Sequence, residues 1–267
     1  MPAKLELLHS PASGAPKGPP LLFVHGAFSG AWCWQRHFMP WFNAQGYDCL
    51  ALSLEGHASS EGKSYLAAIS IQDYVDNLAR TIAALECAPI VIAHSMGGFV
   101  LQQYLTRHTL PGAAFLASVS PLGLTASALN MLTYTPELLL ALNRYQASPG
   151  PMADRYLAEI RALLFSDTAQ EEDVALLAQR SQQESQRAIM DMTLVNPLWQ
   201  RRLHGTPALV LGAGQDKIIT FSDVASCATR LGVDAEILPE LAHMMMLDAG
   251  WESVAQRIAR WLATLAP

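Results

Sequence analysis

The segment Ile90-Val-Ile-Ala-His-Ser-Met-Gly-Gly-Phe99 joins a continuous apolar run to a stretch with helical spacing of apolar groups, through a turn of His94, Ser95 and Met96. It follows the pattern Gly-x-Ser-x-Gly, with Ala93 in the first position. The spacing has a steric reason. Small residues two places before and after the serine let strand and helix approach closely, and Ala93 and Gly97 are both small. The turn also puts Ser95 at a helix start, where amides and helix dipole favour developing negative charge. Ser95 is therefore the candidate nucleophile. The plainer alternative is a Ser-Gly-Gly turn that only begins a helix.

Further apolar runs of strand length occupy 21–24, 48–54, 113–119, 208–211 and 235–238, with 4–9 as a further edge strand. Most are continuous rather than alternating, which suits parallel strands covered on both faces. Residues 71–85, 96–108 and 254–265 have helical periodicity. Strands alternating with helices predict an α/β fold with a mostly parallel, doubly wound sheet. Residues 121–206 break this rhythm. They hold no convincing strand, but 138–142, 156–164 and 174–179 look helical. A structureless loop of that length is improbable in a compact domain, so a helical insertion is expected. The expected organisation is a core of 1–120 and 207–267 with an insertion over 121–206.

Composition narrows the function classes. Of 267 residues, 51% are hydrophobic and 15% charged, which excludes a disordered or coiled-coil chain. No stretch supplies about 20 continuous apolar residues, so no membrane span is expected. The net charge is −6, and the longest basic run is Arg201-Arg202, which disfavours nucleic acid as a partner. The N-terminal residues hold no apolar signal-peptide core. Cys33, Cys49, Cys87 and Cys227 form no C-x-x-C pair, so neither a zinc site nor redox use is expected. They read as buried, reduced thiols of a cytoplasmic protein.

A serine nucleophile needs a base and a group to orient it. The run 208–211 leads into Gly212-Ala-Gly-Gln-Asp216, and loops after strand C-termini are where open α/β sheets build their sites. Asp216 is the preferred acid over Asp191, which lies in the insertion, and Asp223, where a helix should begin. His243 follows the last strand and is the preferred base. His9 and His37 precede the serine, His108 lies late in the next helix, and His204 precedes the strand that carries Asp216. A tetrahedral oxyanion needs two amide donors. Met96 should give one, and the loop of Leu22-Phe-Val-His-Gly-Ala-Phe28 the other, through Ala27 or alternatively Phe28. His25 reads as a brace for that loop.

Together, Val24-His-Gly-Ala27, Leu54-Glu-Gly-His-Ala-Ser-Ser60, the turn at Ser95, Asp216 and His243 resemble the α/β-hydrolase superfamily. The resemblance implies a helical cap between the sixth and seventh strands of the family's count, where 121–206 falls. His25-Gly-Ala-Phe-Ser-Gly-Ala-Trp-Cys-Trp34 and His243-Met-Met-Met-Leu-Asp248 further resemble the plant methylesterase and hydroxynitrile-lyase branch. Lyases of that branch typically carry Thr and Lys where this chain has Gly26 and Met244. The departure favours hydrolysis over cyanohydrin cleavage.

The expected activity is that of a serine esterase acting on a small apolar carboxylic ester or thioester. It needs no cofactor or metal, and the chain is a monomer or homodimer. Phe28, Met244, Leu124 and Met131 are the candidate substrate contacts. Leu122, Leu129, Leu132, Tyr134 and 138–140 are further apolar residues of the insertion, and Met245 and Met246 flank the site. No Arg/Lys cluster near the motifs points to a strongly anionic substrate such as a phosphate ester, although Lys217 lies beside Asp216. A lyase, a cofactor-free dioxygenase or a slow-turnover ligand receptor of the same fold are the alternatives.

Overall fold

The computed structural model describes residues 2–265 apart from 135, 138, 139, 141, 142, 145–156 and 194–202. Seven strands form one sheet: β1 (Glu6–Ser10), β2 (Leu21–Val24), β3 (Cys49–Ser53), β4 (Ile90–His94), β5 (Ala113–Leu116), β6 (Ala208–Ala213) and β7 (Ala235–Leu238). Their order is β1-β3-β2-β4-β5-β6-β7, and only β1 runs antiparallel. β1 alternates half-buried and exposed residues as an edge strand should, whereas β2, β3, β4 and β5 are buried throughout.

The continuous apolar runs arise because each strand feeds two cores. Leu21, Phe23, Ile90 and Ile92 pack on one face with the helices Phe38–Ala44 and Trp251–Leu262. Leu22, Val24, Val91 and Ala93 pack on the other with Ile71–Ala83, Met96–Tyr104 and Phe221–Leu231. Two of these helices start on full capping boxes, Ser70 with Asp73 and Thr220 with Asp223. Helix 71–85 stops at Ala83 and 96–108 at Tyr104, while the last helix runs from Trp251 to Leu262.

Between β5 and β6 the chain leaves the sheet. The described residues there form the helices Thr125–Tyr134, Leu157–Leu164, Glu171–Arg180 and Gln186–Thr193, and no strand. By this chain's own strands the insertion therefore follows the fifth; the count used above numbers one more. The expected helix at 138–142 falls largely outside the described residues. One cysteine departs from expectation: Cys33, Cys49 and Cys227 are buried, but Cys87 is exposed in the loop after Ile71–Ala83. Burial pushes the three buried thiols up to about 12 and keeps them protonated.

Strand order fixes where a site can form. The chain passes from β2 to β3 on one side, then crosses to β4 on the other. The loops that follow β2 and β4 thus leave adjacent strand ends in divergent directions and open a crevice between them.

Candidate active site

Ser95 lies at that crevice with φ 51° and ψ −117°, a conformation that costs a non-glycine residue about 1–3 kcal/mol. The surroundings hold it there. Its amide donates to the Leu116 carbonyl at 3.0 Å, and its carbonyl accepts from Phe99 and Val119, both at 3.2 Å. A Cβ at Gly97 would lie 2.4 Å from the His25 carbonyl oxygen and 2.8 Å from that of Val24. One at Gly26 would lie 2.7 Å from His94 Nδ1 and 2.9 Å from Ser95 Cβ. The two loops thus meet at backbone distance, which excludes a threonine at 26 without a shift.

Ser95, His243 and Asp216 come together from three separate loops. Asp216 Oδ2 accepts from His243 Nδ1 at 2.8 Å, and His243 Nε2 lies 3.1 Å from Ser95 Oγ. The second oxygen of Asp216 accepts from the amides of Ile218 and Ile219 at 2.8 and 2.9 Å, which fixes the carboxylate plane. With Nδ1–H committed to Asp216, Nε2 is left to accept the Ser95 proton. The rejected acids have other work. Asp223 caps its helix and accepts from Ser127, and Asp191 accepts from the Ile71 amide and pairs with Arg187. His37 faces Asp173, His108 stacks on Tyr104, and His9 and His204 are exposed.

His25 braces the first loop as expected. Its Nδ1–H donates to the Gly26 carbonyl and its Nε2 accepts from the Leu54 amide. Burial, reinforced by the neighbouring His57, lowers its pKa to about 3, so it stays neutral. Ala27 and Met96 border the same cavity as Ser95. Met96 opens a helix, so its amide has no acceptor within that helix. Among the described residues the Ala27 amide donates to no protein acceptor, whereas the Phe28 amide donates to Glu184 Oε2 at 3.3 Å.

The cavity over Ser95 has a volume of about 220 Å³ and a mostly aliphatic wall, to which Val119, Leu124, Ile160, Leu163, Ile189 and Met192 contribute. Of the expected contacts, Phe28, Leu124 and Met244 line it. Met131 does not; it is buried one helical turn beyond Ala128, the last cavity residue of its helix. Leu122, Leu129, Leu132 and Leu140 face outward, Leu129 at 63% exposure. Met245 and Met246 turn into the core beneath the sheet. Lys217 Nζ donates to the Ala162 carbonyl of the insertion and is not part of the wall.

Three features escaped the sequence reading. His94, fully buried, has Nε2 2.9 Å from the His243 carbonyl, anchoring the histidine loop to the serine turn. Burial holds its pKa well below the ordinary value, so Nε2–H acts as a neutral donor. Asp248, also fully buried, accepts from the Ala242 and Ala249 amides and from the amide and hydroxyl of Ser166, tying that loop to the insertion. The third is a buried pair: His57 Nε2 lies 2.9 Å from Glu184 Oε2, and both side chains are wholly inaccessible. His94 and His57 both stand beside motif residues, but Glu184 carries no local signal.

Burial alone would lower the His57 pKa, but the Glu184 charge and hydrogen bonds outweigh it and the net shift is upward. Burial would raise Glu184, yet the His57 charge and hydrogen bonds from His57, the Ser185 amide and Tyr74 pull it down. Linkage then sets a window. His57 contributes fully below its ordinary 6.5 and fades as pH rises through its raised value. Glu184 contributes fully above its ordinary 4.5 and fades as pH falls through its lowered value. Thermal denaturation of the wild type and Glu184→Gln, from about pH 4 to about pH 9, should show the widest gap between those two ordinary values. A gap that grows steadily toward alkaline pH contradicts the ion pair.

A family model described as the alpha/beta hydrolase family matches residues 21–257. Methyl jasmonate esterase 1 of Vitis vinifera is 31% identical over 104 residues, 38% of this chain and 39% of that protein. A pyrethroid hydrolase of Sphingobium wenxiniae is 25% identical over 159 residues, 55% of each chain. The chain thus spans about half, or less, of the curated relatives it matches. A solved structure from Mycobacterium tuberculosis H37Rv, provisionally named non-heme bromoperoxidase BpoC, superposes with a TM-score of 0.77. It covers 100% of this chain and 98% of its own at 18% identity, which speaks for the fold alone. Among the described residues no helix is long and apolar enough to cross a membrane, and no cluster of His, Cys, Asp and Glu has a metal-binding arrangement.

Proposed function

The chain belongs to the alpha/beta hydrolase family, and on that premise we propose that it is a serine hydrolase cleaving carboxylic esters or thioesters of small, largely apolar substrates. The observation that carries this reading is the relay from Ser95 Oγ to His243 Nε2 at 3.1 Å and from His243 Nδ1 to Asp216 at 2.8 Å, at the foot of an aliphatic cavity. His243 takes the proton as Ser95 attacks the carbonyl carbon, and Asp216 holds the imidazole in its tautomer and stabilises its cation. The amides of Met96 and Ala27 receive the oxyanion. His243 returns the proton to the leaving alcohol or thiol, and water then cleaves the acyl-enzyme. The cycle calls on neither a metal nor a cofactor.

A relative named as an esterase of methyl jasmonate supports an ester substrate. The wall of Val119, Leu124, Leu163, Ile189 and Met192 supports an apolar acyl group, seated between the insertion and the sheet. Met244 stands where a lyase of the plant branch typically carries lysine, which favours hydrolysis over cyanohydrin cleavage.

Two measurements test the proposal. A fluorophosphonate probe should label Ser95 and leave Ser95→Ala unlabelled; an unlabelled wild type favours a lyase, a dioxygenase or a receptor. Across p-nitrophenyl esters of increasing acyl length, medium or aromatic acyl groups should turn over faster than acetate. Equal rates along the series contradict an acyl pocket in this cavity.

A further inference from the structure

Residues 181–185, which join two helices of the insertion, lie against the loops that follow β2 and β3. The Gln182 amide donates to the Phe28 carbonyl at 3.0 Å, and the Phe28 amide donates to Glu184 Oε2 at 3.3 Å. The Gln182 side chain accepts from the Ala58 amide at 2.9 Å and donates to the Gly56 carbonyl at 2.7 Å. Phe28 and Ala58 are two of four non-glycine residues with positive φ in the described chain, at 63° and 46°. The other two are Ser95 itself and Ala117. One short segment thus holds the strained residue of the loop after β2 and that of the loop after β3.

Glu184 is the centre of this contact. Its Oε2 faces the Phe28 amide and His57 Nε2, and its Oε1 accepts from the Tyr74 hydroxyl at 2.8 Å and the Ser185 amide. Both oxygens are therefore saturated, and the side chain is wholly inaccessible. A bare carboxylate so near a loop that must receive an oxyanion would oppose the developing charge. His57, sealed against it at 2.9 Å, supplies the compensating cation.

We propose that Glu184 is a positioning residue for the oxyanion loop: by taking the Phe28 amide it turns that donor aside and fixes Ala27 as the loop's donor to the oxyanion. The assignment rests on the reading of Ser95 as nucleophile given above. It makes the donor geometry depend on a residue of the insertion, so seating the insertion over the substrate and completing the oxyanion site are one event.

The test uses an oxygen ester and the matching thionoester, whose sulfur accepts amide hydrogen bonds poorly. Amide donors favour the oxygen ester in the transition state, and a misplaced donor erases that preference. In Glu184→Gln, kcat for the oxygen ester should fall about tenfold or more, while KM and the thionoester rate change by less than about twofold. A residue that only supports the fold would lower both rates alike and leave their ratio unchanged. Tyr74→Phe keeps the volume and removes the hydroxyl that fixes Oε1, and should shift the ratio the same way by about two- to fivefold. If Glu184→Gln does not fold, this second variant decides. An unchanged ratio in the folded variant overturns the role of Glu184 alone. A wild-type chain that hydrolyses neither ester overturns the reading of Ser95, and the role of Glu184 with it.

Discussion

Replacing Ser95 by alanine is expected to lower kcat for an activated ester by about four orders of magnitude or more, because a serine nucleophile acts as one unit with its base and orienting acid. The structure makes this a clean experiment. Alanine keeps the Cβ, the strained backbone position and all three main-chain hydrogen bonds that hold it, to Leu116, Phe99 and Val119. Only the Oγ contact to His243 is lost. Binding in the aliphatic cavity should survive, so KM or the affinity for a product acid should change little while turnover disappears. The residual rate should resemble what two amide donors and a bound substrate supply without a nucleophile. The readout is initial rate across the p-nitrophenyl series with the melting temperature as control. Hydrolysis near the wild-type rate in Ser95→Ala would end the case for this serine.

Gly97→Ala should have the largest effect on stability. The added Cβ would stand 2.4 and 2.8 Å from two backbone carbonyl oxygens, of His25 and Val24, where real Cβ atoms are essentially never found. Main chain at the end of a buried strand cannot rotate aside as a side chain does. Either the helix that begins at Met96 is pushed off the sheet or the loop after β2 moves. Overpacking of this kind costs about 3 kcal/mol or more, which lowers the melting temperature of a chain this size by about 6–12 °C. Activity should fall further than stability, because either movement separates Ser95 from the amide of Ala27. Gly18→Ala is the matched control, since a Cβ there meets nothing within 4 Å and its backbone is ordinary. It should leave both melting temperature and rate unchanged. A Gly97→Ala variant that melts with the wild type would mean that strand and helix are not in backbone contact at the turn.

The apolar residues of the insertion show where local pattern stops being informative. Leu124, Met131 and Leu132 are equally apolar in the sequence, but one lines the cavity, one is buried elsewhere and one is exposed. Spacing along a helix says which residues share a face; it does not say what that face meets. The acids behave likewise. Asp191, Asp216 and Asp223 differ little in their own surroundings in sequence. Asp223 belongs to its helix cap and Asp191 to a neighbouring helix start, and only Asp216 reaches a histidine. Asp216 was legible because chain order and the strand before it singled out its loop. Glu184 had no such help, since Tyr74, His57 and Phe28, which it joins, lie 110–156 positions away in the chain.

By itself the sequence determined what depends on near neighbours along the chain. The doubly covered strands follow from unbroken apolar runs, the helices from periodicity and capping residues, and the strained serine from small residues two places to either side. The order Ser, Asp/Glu, His that goes with a serine at such a turn then ranked the acid and the base. Tertiary structure decided what depends on contacts between distant segments. It placed β2 beside β4, so that Gly97 meets the Val24 and His25 carbonyls at backbone distance; it let Glu184 take the Phe28 amide; and it sorted cavity wall from outer surface in the insertion. The physical reason is that a steric or capping rule acts over a few bonds, whereas a buried hydrogen bond or carboxylate finds its partner only after the crossover connections have brought remote loops together.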